Sequence, residues 1–389
     1  ELPDRDVVSW NALIAGYAQH GQTREAFNLL ERMRNDGISP NPITFTSALK
    51  ACGSSGIIGK GQQIHDEIVA RGFLEKNIMV LGNALVGMYA KCGMLAEAQQ
   101  MLERLPIRDV VSWSALIAGY AEQGCGNQAL SCLDEMQKEG ITPNEITFVC
   151  VLKACRSIGA IEKGKQIHNE IAKMGLLKKS VMLGNALVDL YSKCGMLAKA
   201  QEVLEEMSIT NVVSWSTLIA GYVEQEQGHE ALNCFEEMQQ EGVYPDVVVW
   251  NSMILSYAEV DCEKALKLYG QLQEQGVLPD SRIFVSTLKA CGDAVALETG
   301  KKFHSMINRI ISETSEVVLT NALVDMYGRC GSMLDAQQLL DTLPIWDLAS
   351  WNTLSTGYAR QGDWERVFNL FPRMRMENIQ PDGVSFLNL

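Results

Sequence analysis

The sequence predicts an all-α protein built from stacked helical hairpins. Three observations predict it: similar segments recur along the chain, apolar residues within a segment follow the spacing of an amphipathic helix, and glycine and proline close each segment. The chain has 389 residues, of which 47% are hydrophobic and 21% charged. That length is too great for one compact core, so we expect a repeat array in preference to two or three separate domains.

Three kinds of segment alternate along the chain. The string DVVSWNALIAGYAQHG and its close variants begin at Asp6, Asp109, Asn211 and Asp347, at offsets of 103, 102 and 136 residues. Two further strings, ITFTSALKACG and LGNALVGMYAKCG, recur between them in a fixed order. The last offset is longer by one extra unit, residues 247–280. The chain is therefore a series of triplets with one insertion.

Within a unit, apolar residues recur at i, i+3, i+4 and i+7, as in Trp10, Leu13, Ile14 and Tyr17. A second apolar stripe follows, and a glycine with a proline three residues later ends it. These glycines are Gly37, Gly140, Gly242 and Gly276. Each unit is thus predicted to be a hairpin of two helices. One hairpin of about 35 residues cannot bury both apolar faces, so neighbours must stack, with the first helices lining the inner surface.

Charge and hydropathy narrow the functional classes. No apolar run reaches the roughly 18 residues of a membrane-spanning helix, so we do not expect a membrane protein. The formal net charge of −14 is unusual for a nucleic-acid binder and must be reconciled with any such function. The first residues show neither a signal peptide nor a basic presequence. Instead, ELPDRD resembles the end of a unit, so the chain looks trimmed at this point.

Eleven cysteines suggest disulfides or zinc at first sight. No C-x-x-C pair occurs, and six of the cysteines recur in register. Three recur in one unit class, Cys52, Cys155 and Cys291, and three in another, Cys92, Cys194 and Cys330. We interpret them as small packing residues in a reducing compartment.

Two catalytic lookalikes are rejected. Residues 159–166 imitate a phosphate-binding loop, but Gln166 replaces the Ser or Thr that would hold magnesium and no strand precedes the glycines. His65 and His168 each begin an H-x-E pattern, but the P-C-x-x-C segment of a zinc deaminase is missing. With His304, these histidines recur in register and are predicted to be structural. No metal or cofactor site and no catalytic activity are expected in this chain.

The segment cores resemble those of plant organellar pentatricopeptide-repeat (PPR) proteins of the PLS class. The P, L and S units are identified by VVSWNALIAGY, by LKACxxxG followed by G(K/Q)QIH, and by GNALVDMYAKCG, respectively, and the resemblance covers residues 7–382. It implies an all-α fold, an α-solenoid that forms a right-handed superhelix of helix-turn-helix hairpins.

The resemblance divides the chain into eleven complete units. P units are residues 7–41, 110–144, 212–246, 247–280 and 348–382; L units are 42–78, 145–180 and 281–316; S units are 79–109, 181–211 and 317–347. Residues 1–6 would be the tail of a preceding S unit, and residues 383–389 the start of a truncated repeat.

In this family a base is selected by the fifth residue of a unit together with its last residue, here called a selector pair. A short polar side chain can hydrogen-bond the Watson–Crick edge of a splayed base, and the last residue orients it. The resemblance implies C for Asn11/Asn41 and Asn185/Asn211, A for Ser114/Asn144, G for Ser216/Asp246, and U for Asn83/Asp109, Asn251/Asp280, Asn321/Asp347 and Asn352/Asp382.

The L units carry Thr46, Val149 and Val285 at the fifth place, and their bases are expected to be nearly unspecified. The implied target is therefore C-n-U-A-n-C-G-U-n-U-U. The alternative for each polar fifth residue is an ordinary helix cap or a solvated side chain.

Two further sets are assigned by the resemblance. The second residue of a unit, here called a second-place residue, would hold the base by stacking; these are Val8, Val80, Val111, Val213, Val248 and Val318. Packing between repeats is the alternative. Phosphate contacts are expected from Lys91, Lys193, Arg329 and Arg360, for which a solvated surface charge is the alternative. The equivalent residues of the other P units are Gln19, Glu122, Glu224 and Glu259, which depart from the family pattern.

The resemblance implies sequence-specific binding of single-stranded RNA, about one base per repeat, by the recognition tract of a C-to-U editing factor in mitochondria or chloroplasts. Editing cofactor proteins or a deaminase domain would be its partners, and deaminase activity would need a C-terminal domain absent from this chain. Two alternatives stay open. One is a protein-binding scaffold related to tetratricopeptide arrays, which the acidic charge favours, and the other is a PPR factor for RNA stabilisation or splicing.

Overall fold

The computed structural model describes residues 6–277, 279–310, 317–341, 346–377 and 379–387. The predicted tail at residues 1–5 lies outside them, as do parts of the predicted units 281–316 and 317–347. Internal contacts divide the chain into two compact units, here called the first and the second unit and distinct from the P, L and S repeat units. The first unit ends at Thr210 and the second begins at Asn211. Each unit is a stack of helical hairpins, and no β-strand occurs in these ranges.

In the first unit, the first helices of the hairpins are α1 (Val7–Gln19), α3 (Pro42–Ser55), α6 (Ile78–Lys91), α8 (Val110–Glu122), α10 (Glu145–Ile158) and α12 (Val181–Lys193). The second helices are α2 (Thr23–Asn35), α4 (Ile58–Ala70), α7 (Leu95–Glu103), α9 (Gly126–Lys138), α11 (Ile161–Lys173) and α13 (Leu197–Glu206). A short helix, α5 (Phe73–Lys76), comes before α6. The start of α6 is one residue before the predicted S-unit start at residue 79.

In the second unit, the first helices are α14 (Val212–Glu224), α16 (Val247–Val260), α18 (Ser281–Asp293), α20 (Val317–Arg329) and α22 (Leu348–Arg360). The second helices are α15 (Gly228–Gln240), α17 (Cys262–Glu274), α19 (Leu297–Ile310), α21 (Met333–Asp341) and α23 (Trp364–Met376), and α24 (Gly383–Leu387) is the last. None of the described helices has the length and apolar character needed to cross a membrane.

The helices of the first unit and those of the second unit pack in the same way. A first helix packs against the second helix of its own hairpin and against the first helix of the next hairpin. Side chains of successive second helices also meet, for example Arg34 with Glu67 at 2.5 Å and Lys163 with Asp134 at 2.9 Å. The first helices therefore form one layer and the second helices the other.

Glycine ends the second helices as predicted. After α2, Gly37 has a φ of +77°, a left-handed conformation that only glycine adopts without strain. The amide of Ile38 then donates to the carbonyl oxygen of Met33 at 3.0 Å, which closes the helix.

Tryptophan anchors the first helix of each P unit. Trp10, Trp113, Trp215, Trp250 and Trp351 are almost fully buried, with 0 to 3% of each residue's surface exposed. The predicted apolar stripe holds less well in α1, where Leu13 is 44% and Tyr17 36% exposed. Their counterparts in α8 are buried, because α8 lies between α6 and α10 whereas no described helix precedes α1.

The recurrent histidines and cysteines of the L units are packing residues. His65, His168 and His304 each meet a tyrosine of the next S unit, with Nδ1 to hydroxyl distances of 2.7, 3.0 and 2.8 Å. Burial lowers the pKa of all three imidazoles. The L-unit cysteines Cys52, Cys155 and Cys291 are fully buried, and burial raises the pKa of the Cys52 thiol to about 12. Such thiols are poor nucleophiles and poor metal ligands.

Candidate nucleic-acid interface

The last residue of each P and S unit is also the N-cap of the next first helix. Asn41, Asp109, Asp246, Asp280 and Asp347 all have extended backbone conformations, and each side chain accepts a hydrogen bond from the amide three residues on. Capping by Asn or Asp is a strong local preference, worth about 1 kcal/mol over alanine. The sequence thus fixes these residues at the junctions between repeats.

Asparagine at the fifth place reaches across to this N-cap. The Nδ2 group of Asn83 donates to both carboxylate oxygens of Asp109, at 3.2 and 3.0 Å. Asn251 does the same with Asp280, at 3.3 and 3.1 Å. Because these pairs lie 26 and 29 residues apart in sequence, the hairpin itself brings them together.

Two more pairs are joined by the same kind of bond. Asn11 donates to Asn41 Oδ1 at 3.1 Å, and Asn352 donates to Asp382 Oδ1 at 3.1 Å. Asn321 also hydrogen-bonds the Asp347 carboxylate. Five predicted selector pairs are therefore physically coupled, which the sequence alone could not show.

The two serine selectors behave differently. Ser114 shares a hydrogen bond of 2.7 Å with Thr147, and Thr147 in turn donates to the cap Asn144 at 2.9 Å, so this pair is linked through a third residue. Ser216 donates to the carbonyl oxygen of Val213 in its own helix at 3.1 Å, not to Asp246. The side chain of Ser216 therefore does not meet its predicted partner in this structure.

The pair Asn185/Asn211 falls at the division between the two units, and its coupling stays a prediction. Asn211 caps α14 in a reciprocal capping box with Ser214. It therefore has the same local role as the other N-caps.

The L units lack this arrangement. The hydroxyl of Thr46 donates to the carbonyl oxygen of Pro42 at 2.8 Å, within its own helix. Val149 and Val285 are half-buried and have no polar group to offer. At the end of the second L unit, Ser180 caps α12 and its hydroxyl contacts Glu145 of the preceding first helix.

The second-place valines are exposed. Val8, Val80, Val111, Val213, Val248 and Val318 leave 55 to 67% of their surface open to solvent. Each precedes its selector by three residues and so lies on the same helix face, one turn away. Exposed apolar side chains repeated in register are available to a partner, and the stacking role of these residues stays a prediction.

Three more second-place residues were missed because the pattern was sought as valine. Ile43, Ile146 and Met182 occupy the same place and are 60, 55 and 47% exposed. Applying the repeat register to every unit, whatever the residue type, would have found them.

The predicted phosphate contacts divide into two groups. Lys91 is exposed and forms no ion pair within the described ranges, and Lys193 also lies in the last turn of its first helix. Arg329 instead pairs with Asp325 at 2.7 Å and with Asp293. Burial would lower its pKa, but these two carboxylates outweigh burial and raise it. Arg360 lies 3.8 Å from Asp325. Acidic neighbours thus offset much of the positive charge at the last two positions.

Sequence comparisons match the chain to known repeats. The model of the PPR repeat family matches residues 5–54, 108–157 and 210–259, and the PPR repeat model matches residues 83–110, 185–209, 318–344 and 349–379. A chloroplastic pentatricopeptide repeat-containing protein of Arabidopsis thaliana is 31% identical over 388 residues, all of this chain and 57% of that protein. A mitochondrial one from the same plant is 28% identical, covering all of this chain and 59% of that protein. The chain spans little more than half the length of these relatives.

Solved structures show the same fold. The crystal structure of the pentatricopeptide repeat protein PPR10 in complex with an 18-nt psaJ RNA element is similar over 98% of this chain and 57% of that chain, with a TM-score of 0.76 and 20% identity. The structure of PPR10 from maize gives a TM-score of 0.60 over 99% of this chain and 61% of that chain, also at 20% identity. The predicted all-α solenoid of stacked hairpins is therefore confirmed, while its right-handed superhelix stays a prediction.

Proposed function

Because the chain belongs to the pentatricopeptide-repeat family, we propose that it binds single-stranded RNA sequence-specifically, about one base per repeat. Each P or S repeat would take one base against the fifth residue of its first helix. The last residue of that repeat would set the orientation of the selecting side chain.

The observation that carries this proposal is the coupling of Asn83 and Asn251 to the aspartates that end their repeats. An amide donates two hydrogens from Nδ2, so one can bind the carboxylate while the other stays available to a base. The exposed second-place residue one turn earlier supplies an apolar surface for the base plane. Polar edge and apolar face thus lie side by side, as an unpaired base requires.

The proposed target is C-n-U-A-n-C-G-U-n-U-U, with the selector pairs as assigned from the sequence. The bases facing the L repeats are left unspecified, because Val149 and Val285 cannot hydrogen-bond. Ser216 would have to rotate its χ1 torsion away from Val213 to select G at the seventh base.

The biological setting belongs to the same proposal. The names of related proteins place them in chloroplasts or mitochondria, which supports an organellar site for this protein. The alternating P, L and S motifs support the PLS class and the recognition tract of a C-to-U editing factor. Editing cofactor proteins or a deaminase domain would act on the cytidine once this tract is bound.

The net charge of −14 shapes how such binding would behave. Phosphate contacts supply much of the affinity of nucleic-acid binders and make it salt-dependent. Because Arg329 is held by two carboxylates, this cation is less available to phosphates than Lys91 is. We therefore expect moderate affinity that falls steeply as salt is added.

The test is a filter-binding series with the proposed 11-nucleotide RNA and its single-base variants. Asp246→Asn is expected to move the preference at the seventh base from G toward A. Asn211→Asp is expected to move the sixth from C toward U. Both changes keep a good helix N-cap, so the fold is preserved. Unchanged base profiles in both variants would refute the selector assignment.

The acidic charge supports one further candidate, a scaffold that binds basic peptides. The same experiment separates it from RNA binding when a basic peptide is added as competitor. Displacement of the RNA by the peptide at lower concentration than by unlabelled RNA would favour the scaffold.

A further inference from the structure

Three selecting amides are held at both ends. The Oδ1 atom of Asn11 accepts a hydrogen bond of 2.5 Å from the hydroxyl of Thr44, while its Nδ2 binds Asn41. Asn352 likewise accepts from Ser385 at 2.6 Å, and Asn321 accepts from Ser350 at 2.8 Å. In each case the donor is the hydroxyl three residues after the N-cap, on the first helix of the next repeat.

Two other selecting amides are held at one end only. The Oδ1 atoms of Asn83 and Asn251 are buried and have no hydrogen-bond partner within the described ranges. For Asn251 the reason is that Ile283 stands where the hydroxyl would be. For Asn83, the hydroxyl of Ser112 donates to the backbone carbonyl of Asp109 at 2.9 Å instead.

Whether an amide is held at both ends or at one end affects which of its groups faces a base. When an amide whose Oδ1 accepts from a hydroxyl and whose Nδ2 donates to a carboxylate turns over, it loses the carboxylate bond, and the hydroxyl must also change from donor to acceptor. Without that turn, only the second Nδ2 hydrogen faces a base, and a donor suits the O4 acceptor of uracil and not the N4 amino group of cytosine. An amide with an unpaired Oδ1 is held by the carboxylate alone, so one contact fewer fixes which group faces the base.

We propose that the hydroxyl three residues after the N-cap is a positioning residue that sharpens base choice at Asn/Asp selector pairs. The inference rests on the proposed RNA binding and deepens it. The tenth and eleventh bases, served by Asn321 with Ser350 and by Asn352 with Ser385, are discriminated more strictly than the eighth. The eighth is served by Asn251, which has Ile283 in place of the hydroxyl.

The experiment measures the ratio of dissociation constants for U and C at one base at a time in the 11-nucleotide RNA. Wild-type protein is expected to give a larger ratio at the tenth and eleventh bases than at the eighth. Ser350→Ala lowers the ratio at the tenth base by about fivefold, the worth of one neutral hydrogen bond. Ser350→Thr keeps the hydroxyl and keeps the ratio, whereas Ile283→Thr raises the ratio at the eighth base.

Ser112→Ala is the matched control. Ser112 occupies the same position after an N-cap and takes part in a capping box with Asp109, but its hydroxyl does not contact Asn83. Ser112→Ala loses the contacts of Ser112 with the backbone of Asp109, and Ser350→Ala loses the contact of Ser350 with the Asp347 carboxylate, so each variant loses a contact to its own N-cap and a thermal melt records that loss in both. The U-to-C ratio at the third base stays at its wild-type value.

Two results overturn the inference, and they are distinguishable. If wild-type protein prefers U at the tenth base and Ser350→Ala keeps that preference in full, the positioning role is wrong and the proposed function stands. If wild-type protein shows no base preference at the eighth, tenth or eleventh positions, the proposed selector function fails, and the positioning role fails with it.

Discussion

The P and S repeats differ from the L repeats at the same place in the hairpin. In five of the P and S repeats an asparagine at the fifth place contacts the Asn or Asp cap, as Asn83 contacts Asp109 at 3.0 Å. In the L repeats the fifth residue is valine, or a threonine that bonds its own helix. The L repeats place their polar contacts elsewhere, in the pairing of His168 with Tyr191. The proposed selectivity would thus depend on a coupled pair, and a polar fifth residue alone would be insufficient.

The largest effect is expected when an S repeat is given the fifth residue of an L repeat. Asn83→Val removes the only donor of this pair that could reach a base. The preference for U at the third base should fall about tenfold, since a specific contact to a base edge is worth about 1 to 3 kcal/mol. Binding to single-base variants of the target measures it.

The control for that change is Val149→Ala in an L repeat. It should leave the preference at every base unaltered, because Val149 contributes no hydrogen bond. A tenfold change in this control would mean that L repeats also select bases.

A smaller effect is expected from charge at the end of the first helix. Lys91 in an S repeat corresponds to Glu122 in the next P repeat, and both are exposed. Glu122→Lys should raise RNA affinity several-fold at low salt and steepen the dependence of log affinity on log salt by about 0.7, the value for one phosphate of a single strand.

Glu205→Lys on the second helix α13 changes the net charge equally. It should have little effect on affinity, because Glu205 is exposed on the opposite layer. Equal gains from both variants would indicate that overall charge matters and the position does not.

The contact between His168 of an L repeat and Tyr191 of the next S repeat is structural. Its loss should lower the stability of the fold and leave base recognition unchanged. Tyr191→Phe removes the hydroxyl that lies 3.0 Å from His168 Nδ1. The free energy of unfolding should fall by about 1 kcal/mol, and the imidazole would be left buried without that partner. Chemical denaturation measures the loss, and Tyr17→Phe is the control, because Tyr17 is 36% exposed. A shift in base preference on Tyr191→Phe would contradict the separation of roles.

The smallest expected effect is on the stability of the fold at acidic pH. Burial would raise the pKa of Asp347, but hydrogen bonds from Ser350 and Asn321 outweigh burial and lower the pKa below its ordinary value of 3.8. A lowered pKa in the folded state contributes stability that is complete above pH 3.8 and is lost as pH falls through the folded-state pKa. Ser180, which caps α12 in an L repeat, has no such titration.

The melting temperatures of Asp347→Asn and of wild-type protein should therefore come closer together as the pH is lowered from 5 toward 3. The neutral amide keeps a cap but does not titrate. A difference that stays constant across this range would show that Asp347 contributes nothing to acid sensitivity.

Much of the fold was predictable because the hairpin is a local structure. The Gly37 turn and the caps Asn41 and Asp109 act within a few residues, and the sequence contains the donors, acceptors and conformational freedom that they need. The packing roles of Cys52 and the recurrent histidines followed from their register. The exposed Leu13 did not, because its burial depends on a neighbouring helix and not on α1 itself.

The candidate site was predictable only as a set of residues. Register identified Asn251 and Asp280, but nothing in the sequence distance of 29 residues gave their contact at 3.1 Å. The same register paired Ser216 with Asp246, and there the structure shows a serine bonded to its own helix.

The sequence by itself determined the all-helical class, the alternation of units, the helix caps and the identity of each polar fifth residue. These depend on interactions between residues near one another in the chain. Only the tertiary structure decided which amides are held at both ends and which carboxylates neutralise Arg329. Those outcomes depend on the angle and spacing at which one hairpin packs on the next. A change of less than 1 Å in the distance between donor and acceptor is enough to make or lose a hydrogen bond or an ion pair.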